Sequence, residues 1–450
     1  PPPPPPPLFT ITILHTRFGF KSRGLGDVYK RQNNGGVNWF DIDDIPNNQF
    51  YRITHDPHNP GVITGGLQDN GTVTGNYSGV NSWNKIFGAD GFQPIYDPVD
   101  PDNIFVEIQY GGIYASDDGG GFFSDATDGI DNNDRRNWDM PYVMSPHDPS
   151  VLYCGTYRIY KNSTGVNALW STLSGDLTDG IVFSPRFHTI TTIAESPTIQ
   201  GLIYTGTSDG NVWYTPDDGM TWIDISAGLP DRYVTSVRPS PDPANPNTVY
   251  VTVSGYKYNE QIPHVFRSDD NGNTWNDISG DLPQVAPNDL VVLPGYNGQV
   301  IMVGTDGGVY GTLTGGLHWE RLGNNLPVLP VYDIDLIPGP DLLVASTYGR
   351  SAWSYPVDSL VLSVGVSEIS ESGNIILWPN PATDFISIQV PAGFEGSDLM
   401  IRDMQGRVVL SGKLNSEERA KVDLSLIAKG VYVLSLSSGD QIIAERFMRY

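Results

Sequence analysis

Thr215-Pro-Asp217-Asp-Gly219-Met-Thr221-Trp222 and Ser268-Asp-Asp270-Asn-Gly272-Asn-Thr274-Trp275 are two copies of one phrase, S/T-x-D-x-G-x-T-W, 53 residues apart. Each residue type has a physical reason to stand where it does. Gly219 and Gly272 can take the positive φ of a tight turn. Asp217 and Asp270 can accept hydrogen bonds from the turn's own N–H groups, and the Thr215 or Ser268 hydroxyl can add another. Trp222 and Trp275 then bury large rings behind the hairpin. The phrase therefore reads as a structural hairpin, and its aspartates are not catalytic carboxylates.

Weaker copies extend the pattern along the chain. They include Asn34-Gly-Gly-Val-Asn-Trp39, Ser116-Asp-Asp118-Gly-Gly120 and the stretches ending in Trp83, Trp170 and Trp319. The anchors Trp39, Trp83, Phe123, Trp170, Trp222, Trp275 and Trp319 lie 44, 40, 47, 52, 53 and 44 residues apart. That interval is about the length of one four-stranded propeller blade. Between anchors, apolar runs such as Leu202–Gly206 and Val300–Gly304 lead into Thr-x-Asp-Gly turns, the mark of a buried strand entering a hairpin. The spacing predicts an all-β chain. Six complete blades fall between about residues 50 and 323, and residues 331–355 supply three strands of a seventh. The fourth strand of that blade is expected from Val37–Ile42, brought round from the N-terminus to remove the open sheet edge. This arrangement puts Trp39 beside Trp353.

Composition agrees with this reading and excludes several function classes. Gly 50, Pro 36 and Tyr 23 suit turns and strands better than helices. With 51 acidic residues against 26 basic ones the chain carries −25, which disfavours nucleic acid and anionic membranes as partners. A single cysteine, Cys154, leaves no intrachain disulfide, and the seven histidines show no zinc spacing. No apolar run is long enough to span a bilayer. Residues 1–32 hold seven leading prolines, five basic residues and one acidic residue, so the remainder carries −29. The segment resembles translated adaptor or assembly sequence, and we expect native N-terminal sequence to be missing.

The repeat resembles the BNR/Asp-box proteins, a group that includes sialidases, sortilin-like receptors and xyloglucanases. Gly65-Gly-Leu-Gln-Asp-Asn-Gly71, Gly88-Ala-Asp-Gly91 and Thr347-Tyr-Gly-Arg350 look like the sortilin-like and xyloglucanase-like branch, with residues 33–356 as the propeller. A second resemblance covers residues 374–450. Leu377-Trp-Pro379-Asn380-Pro381, Ile401-Arg-Asp-Met-Gln-Gly406 and Lys429-Gly430-Val-Tyr432 look like a type A sorting domain of the Bacteroidetes type IX secretion system. Alternation of Ile386, Ile388 and Val390 with Ser387 and Gln389 fits a small Ig-like β-sandwich. The resemblance implies export across the outer membrane, secretion or surface attachment, and the secretion machinery as a partner. Residues 357–373 read as a linker.

Function is less defined. The preferred reading is a secreted or surface-attached propeller that binds an extracellular glycan or protein, with Trp138, Trp213 and Tyr256 as loose candidates. The alternative is a xyloglucanase-like glycoside hydrolase or a fragment of one. Such an enzyme needs two carboxylates about 5–9.5 Å apart. Asp69 and Asp90 each follow a predicted strand and are the candidates, although Asp-Asn-Gly and Asp-Gly also read as turns. Phe50-Tyr-Arg52-Ile-Thr54 resembles the sialidase arginine motif, with Thr54 where that motif has proline. No cofactor is implied. Asp125, Asp128, Asp131 and Asp134 crowd one loop, which reads either as a calcium site or as a solvated insertion.

Overall fold

The computed structural model describes residues 30–31, 37–38, 40–41, 47–76, 83–181, 188–323, 325–338, 341–357 and 360, and in the C-terminal part 375–380, 382–390, 394, 396–403, 408–414, 419–425, 427–438 and 441–449. The chain divides into two compact units, Pro1–Val357 and Asp358–Tyr450.

Apart from one short hairpin near its start, the first unit is a succession of antiparallel sheets, each built from strands consecutive in the chain. Among the described residues six have four strands, beginning at Phe50, Ile95, Tyr142, Ile190, Tyr233 and Pro287, and a seventh has three, Val331–Ile337, Leu342–Thr347 and Ala352–Pro356. Second strands are buried on both faces: Ile203–Thr207, Val249–Ser254 and Ile301–Thr305 expose no residue. Stacking sheets face to face, rather than leaving one face wet, explains these near-continuous apolar runs. The first strands of neighbouring sheets lie side by side, and the seventh sheet packs against the first. Phe50 and Ile53 of sheet one share a core with Ile337, Val344 and Ala352 of sheet seven, so the succession closes on itself.

The repeated phrase forms the hairpin between third and fourth strands. In the fifth sheet the Ser268 hydroxyl donates to Asp270 at 2.7 Å and accepts from Gly272 N–H at 2.8 Å. Asp270 in turn accepts from the Thr274 N–H and hydroxyl, both at 2.8 Å. The fourth sheet repeats this with Thr215, Asp217, Gly219 and Thr221. Ser116, Asp118 and Gly120 do the same in the second sheet. Gly272 has φ 86°, and a Cβ there would stand 2.4 Å from Ile225 Cδ1 of the preceding sheet.

The tryptophans of the third to sixth sheets point backwards. Trp170 Nε1–H donates to Ala126 C=O at 2.7 Å, Trp222 to Leu173 at 3.3 Å, Trp275 to Ile225 at 2.8 Å and Trp319 to Ile278 at 3.0 Å. Each acceptor is the residue immediately after the fourth strand of the preceding sheet. Trp83, in the first sheet, has an Nε1–H without an acceptor among the described residues. It lies at the seam where the preceding sheet has no fourth strand among the described residues.

The expected closing strand is not paired there. Phe40–Asp41 instead pairs with Lys30–Arg31, inside the segment read as foreign. A local hairpin closes a much shorter loop than pairing with Ala352–Pro356 would require, so it costs less entropy. Trp39 and Ile42 lie outside the described residues, so the expected approach of Trp39 to Trp353 does too.

The second unit is two sheets over one core. Ile376–Trp378, Phe385–Gln389 and Arg419–Asp423 form one, and Val408–Lys413, Asp398–Asp403, Gly430–Ser438 and Gln441–Arg449 the other. Ile386, Ile388, Ile401, Leu434 and Leu436 are fully buried between them. Tyr432 donates to Ala428 C=O at 2.7 Å and lies against the Phe447 ring. Gly430 opens the strand that carries Tyr432. Pro379 and Asn380 stand exposed after the first strand, while Pro381 and Gly406 lie outside the described residues.

Phe50 is wholly buried at the closing seam, its ring 5.2 Å from Trp83. Phe50→Ala is expected to cost about 3–5 kcal/mol. Denaturant unfolding followed by tryptophan fluorescence checks this, and an unchanged midpoint would place closure elsewhere.

Candidate functional site

Antiparallel order puts the starts of the first strands at one end of the unit, together with the turns between second and third strands. The repeated hairpins lie at the other end. The functional candidates gather at the first end, around the centre of the closed succession of sheets.

Its floor is a charge network across the centre. Arg52 of sheet one holds Asp139, which precedes the first strand of sheet three, at 2.7–2.8 Å and approaches Asp333 of sheet seven at 3.5 Å. Asp333 also accepts from Ile53 N–H at 2.7 Å. Arg238 of sheet five holds Asp289 of sheet six at 2.9 and 3.1 Å, and Ser236 donates to the same carboxylate at 2.7 Å. Asn137 reaches across to the Tyr233 hydroxyl at 3.1 Å. Because these links join non-neighbouring as well as neighbouring sheets, they tie the centre together. Charges removed from water must be paired, and these are. Burial pushes the Asp333 carboxyl up to about 7, with Asp289 adding to the effect while Arg52 and Arg238 oppose it. Glu107 is fully buried, accepts from Met140 N–H at 3.0 Å and leaves its second oxygen without a partner. Burial and nearby Asp139 hold it well above the usual carboxylate range.

Over this floor stand aromatic rings. Tyr51 stacks on Phe92 at 4.8 Å, Phe92 meets Trp138 edge-on at 6.1 Å, and Tyr110 meets Trp138 edge-on at 5.0 Å. On the other side, Tyr332 and Tyr348 pack edge to face at 5.4 Å. Trp138 is 40% exposed, Tyr110 42% and Tyr256 67%, so rings fixed by their neighbours still offer faces to solvent. The turn Tyr256–Tyr258 is held down by Arg232 over Tyr258 at 4.4 Å and by Lys257 over Tyr233 at 4.5 Å.

The candidates read from sequence divide clearly. Asp69 and Asp90 do meet: the buried Asp90 carboxylate accepts the Asp69 N–H and fastens the turn in which Asp69 takes φ 61°. Asp90 thus clamps a turn, and Asp69 is exposed at its tip. Arg52, compared above with a sialidase arginine, already binds two carboxylates of its own chain. Trp213 packs beside Leu177 and Ile190, whereas Trp138 and Tyr256 are exposed. In the acidic loop, Asp125 caps Thr127 and Asp131 caps Asn133, both at 2.9 Å. Asp134 is locked by Arg158, Tyr160 and Thr156 at 2.7–2.9 Å, and Asp128 takes part through its carbonyl, which accepts from Trp170 N–H. Among the described residues no three His, Cys, Asp or Glu side chains are grouped to hold a metal ion. Sequence reasoning missed Tyr51, Tyr110, Asp139, Asp333 and the Arg238–Asp289 pair. Only the aromatic load hinted at the rings.

Residues 376–449 match the family described as "Secretion system C-terminal sorting domain". The chain therefore carries a signal for export through the type IX system, to the cell surface or beyond. No curated protein matches the chain. The structure is similar to the GH74 xyloglucanase from Xanthomonas campestris, at 12% identity and TM-score 0.51, over 90% of this chain and 66% of that one. It is similar to the GH74 enzyme of Niastella koreensis, at 13% identity and TM-score 0.54, over 89% and 73%. YCF48 from Cyanidioschyzon merolae matches at 11% identity and TM-score 0.52, over 70% of this chain and 97% of that one. These likenesses show the β-propeller fold. The chain spans less than two thirds of the length of the Xanthomonas enzyme. Among the described residues no helix is long and apolar enough to cross a membrane.

The raised Asp333 carboxyl has a consequence for stability. Its folded form holds a proton more tightly than the unfolded chain does, so its contribution is complete below the unfolded value near 4 and is lost as pH rises to about 7. His55, which joins sheets one and seven through Asp335 at 2.8 Å, acts in the same direction: burial lowers it, but Asp335 outweighs burial and raises it. The thermal midpoint of the propeller transition is expected to fall by a few degrees from pH 5 to pH 7.5. Asp333→Asn should flatten that slope, and an equal slope in wild type and variant would remove Asp333 from the account.

Proposed function

We propose that the seven sheets are the blades of one Asp-box propeller, exported with an Ig-like sorting domain behind it, and that its aromatic end binds an extracellular glycan. The observation that carries this reading is the Trp138–Tyr110 pair, two exposed rings set at 89° and 5.0 Å on a floor of paired charges. A sugar ring presents an apolar face edged by hydroxyls. An indole face with carboxylates close by matches both parts, and its rigidity lowers the entropy lost on binding. Anchors of this kind dominate binding when they sit centrally and are supported from beneath.

A glycoside hydrolase would need one carboxyl free to give a proton and another free to act as base or nucleophile. Asp90 is committed to the Asp69 turn and Asp139 to Arg52, while Asp333 and Glu107 are buried in the floor. These engagements favour a binder over an enzyme.

The test uses the full chain with a panel of plant, algal and host polysaccharides, read both by affinity electrophoresis and by reducing ends released. Retardation without release is expected. Trp138→Ala should weaken binding by about 2 kcal/mol, roughly 30-fold, with little change in the thermal midpoint. Release of reducing ends that Asp90→Asn abolishes would make the protein a hydrolase instead.

A further inference from the structure

We infer that the pocket beside the aromatic pair is a carboxylate subsite, and that the glycan it serves is a largely neutral chain carrying scattered uronic acids. This rests on the glycan reading above. The pocket is lined by Tyr110, Asn132, Asn133, Asp134, Arg135 and Arg136, among others. Its two arginines are in opposite states. Arg135 is fully employed: Nε donates to His188 C=O at 3.2 Å, the terminal nitrogen donates to Asp176 and Thr178 at 2.9 Å, and the guanidinium lies 4.2 Å over the Tyr157 ring.

Arg136 has none of this. Its one hydrogen bond goes to the Asp131 carbonyl at 3.1 Å, its Nε is buried with no acceptor, and it forms no ion pair among the described residues. The nearby carboxylates are taken. Asp134 is chelated by Arg158, and Asp131 caps Asn133 and lies 3.7 Å from Arg158. In a chain with 51 acidic residues, Arg52, Arg158, Arg232 and Arg238 each hold a carboxylate, while Arg350, in the turn of the seventh sheet, donates to Gly349 C=O. A partly desolvated guanidinium left unpaired is unfavourable, and a planar carboxylate is the group that the fork of its two terminal nitrogens can take, the buried Nε lying out of a ligand's reach.

Position supplies the rest. Tyr110 belongs both to the pocket and to the exposed pair with Trp138, so a sugar stacked on the pair has its neighbouring unit over Arg136. The net charge of −25 sets the density of acid groups. A polyanion would be repelled along its whole length. A single carboxylate in contact with one guanidinium gains locally, because the field of distant charges is screened beyond about 8 Å at physiological salt.

Calorimetry on the full chain tests this with three probes: glucuronoxylan, the same polymer after its uronic carboxyls are reduced to alcohols, and polygalacturonate. Wild type should bind glucuronoxylan about tenfold or more tightly than the reduced polymer, and polygalacturonate more weakly than either. Arg136→Gln should bind both xylans equally, at the level wild type shows for the reduced one, while Arg136→Lys should recover part of the difference. Unchanged thermal midpoints would show that both variants fold. Equal binding of the two xylans by wild type would overturn the carboxylate subsite and leave the glycan reading standing. Loss in Arg136→Gln that is equal for both polymers would also overturn it, and absence of binding to every glycan would remove both readings together.

Discussion

An indole N–H reaching back to a carbonyl of the preceding sheet is the contact on which the architecture depends. Trp170, Trp222, Trp275 and Trp319 each make it, and each acceptor is the first residue beyond a completed fourth strand. A sheet whose outer strand is two or three residues long has little pairing energy of its own. Its edge is held because the next sheet's tryptophan covers it and takes its last carbonyl. The Asp-rich hairpin brings that ring to the right place, and Gly272 is required because a side chain there would strike Ile225 of the sheet being latched. The repeated phrase is thus a device for joining sheets, which explains why its carboxylates are spent on their own turns.

A second constraint acts at the centre. Where first strands converge, backbone and side-chain polar groups lose water, and the chain answers with arginine–aspartate pairs that cross from sheet to sheet. Removing one partner from such a network is costly because the remaining charge has no water to turn to. The network gives the exposed rings a floor of paired charges, and rigidity beneath a ring lowers the entropy that binding on its face would cost.

Much of this was legible in the sequence and some could not be. Trp222 and Trp275 announce themselves because a fixed interval and a local phrase are carried by neighbouring residues, and the alternation of Ile386 with Ile388 shows the second unit's core in the same way. Arg52 and Asp333 are 281 positions apart, and nothing local in either segment marks the other as its partner. Tyr110 looks like any turn tyrosine until Trp138 arrives edge-on from another sheet. Asp90 illustrates the opposite difficulty: Asp-Gly after a strand fits a catalytic carboxylate and a turn clamp equally, and only the Asp69 N–H decides. Phe40–Asp41 matches the fourth-strand phrase in sequence, but a hairpin partner nearby wins the pairing.

The backward-pointing indoles also give the propeller a polarity in time. A tryptophan can close only on an acceptor that already exists, and each acceptor belongs to the sheet made earlier by the ribosome. From the third sheet to the sixth, assembly can therefore proceed as a ratchet, each new sheet finding its predecessor's rim finished and sealing it. The second sheet, with Phe123 in place of the indole, and the seam between the seventh and first sheets stand outside this series of latches. At that seam the first and last sheets must find each other across roughly 300 positions, Phe50 against Ala352, so the slowest search of assembly falls there.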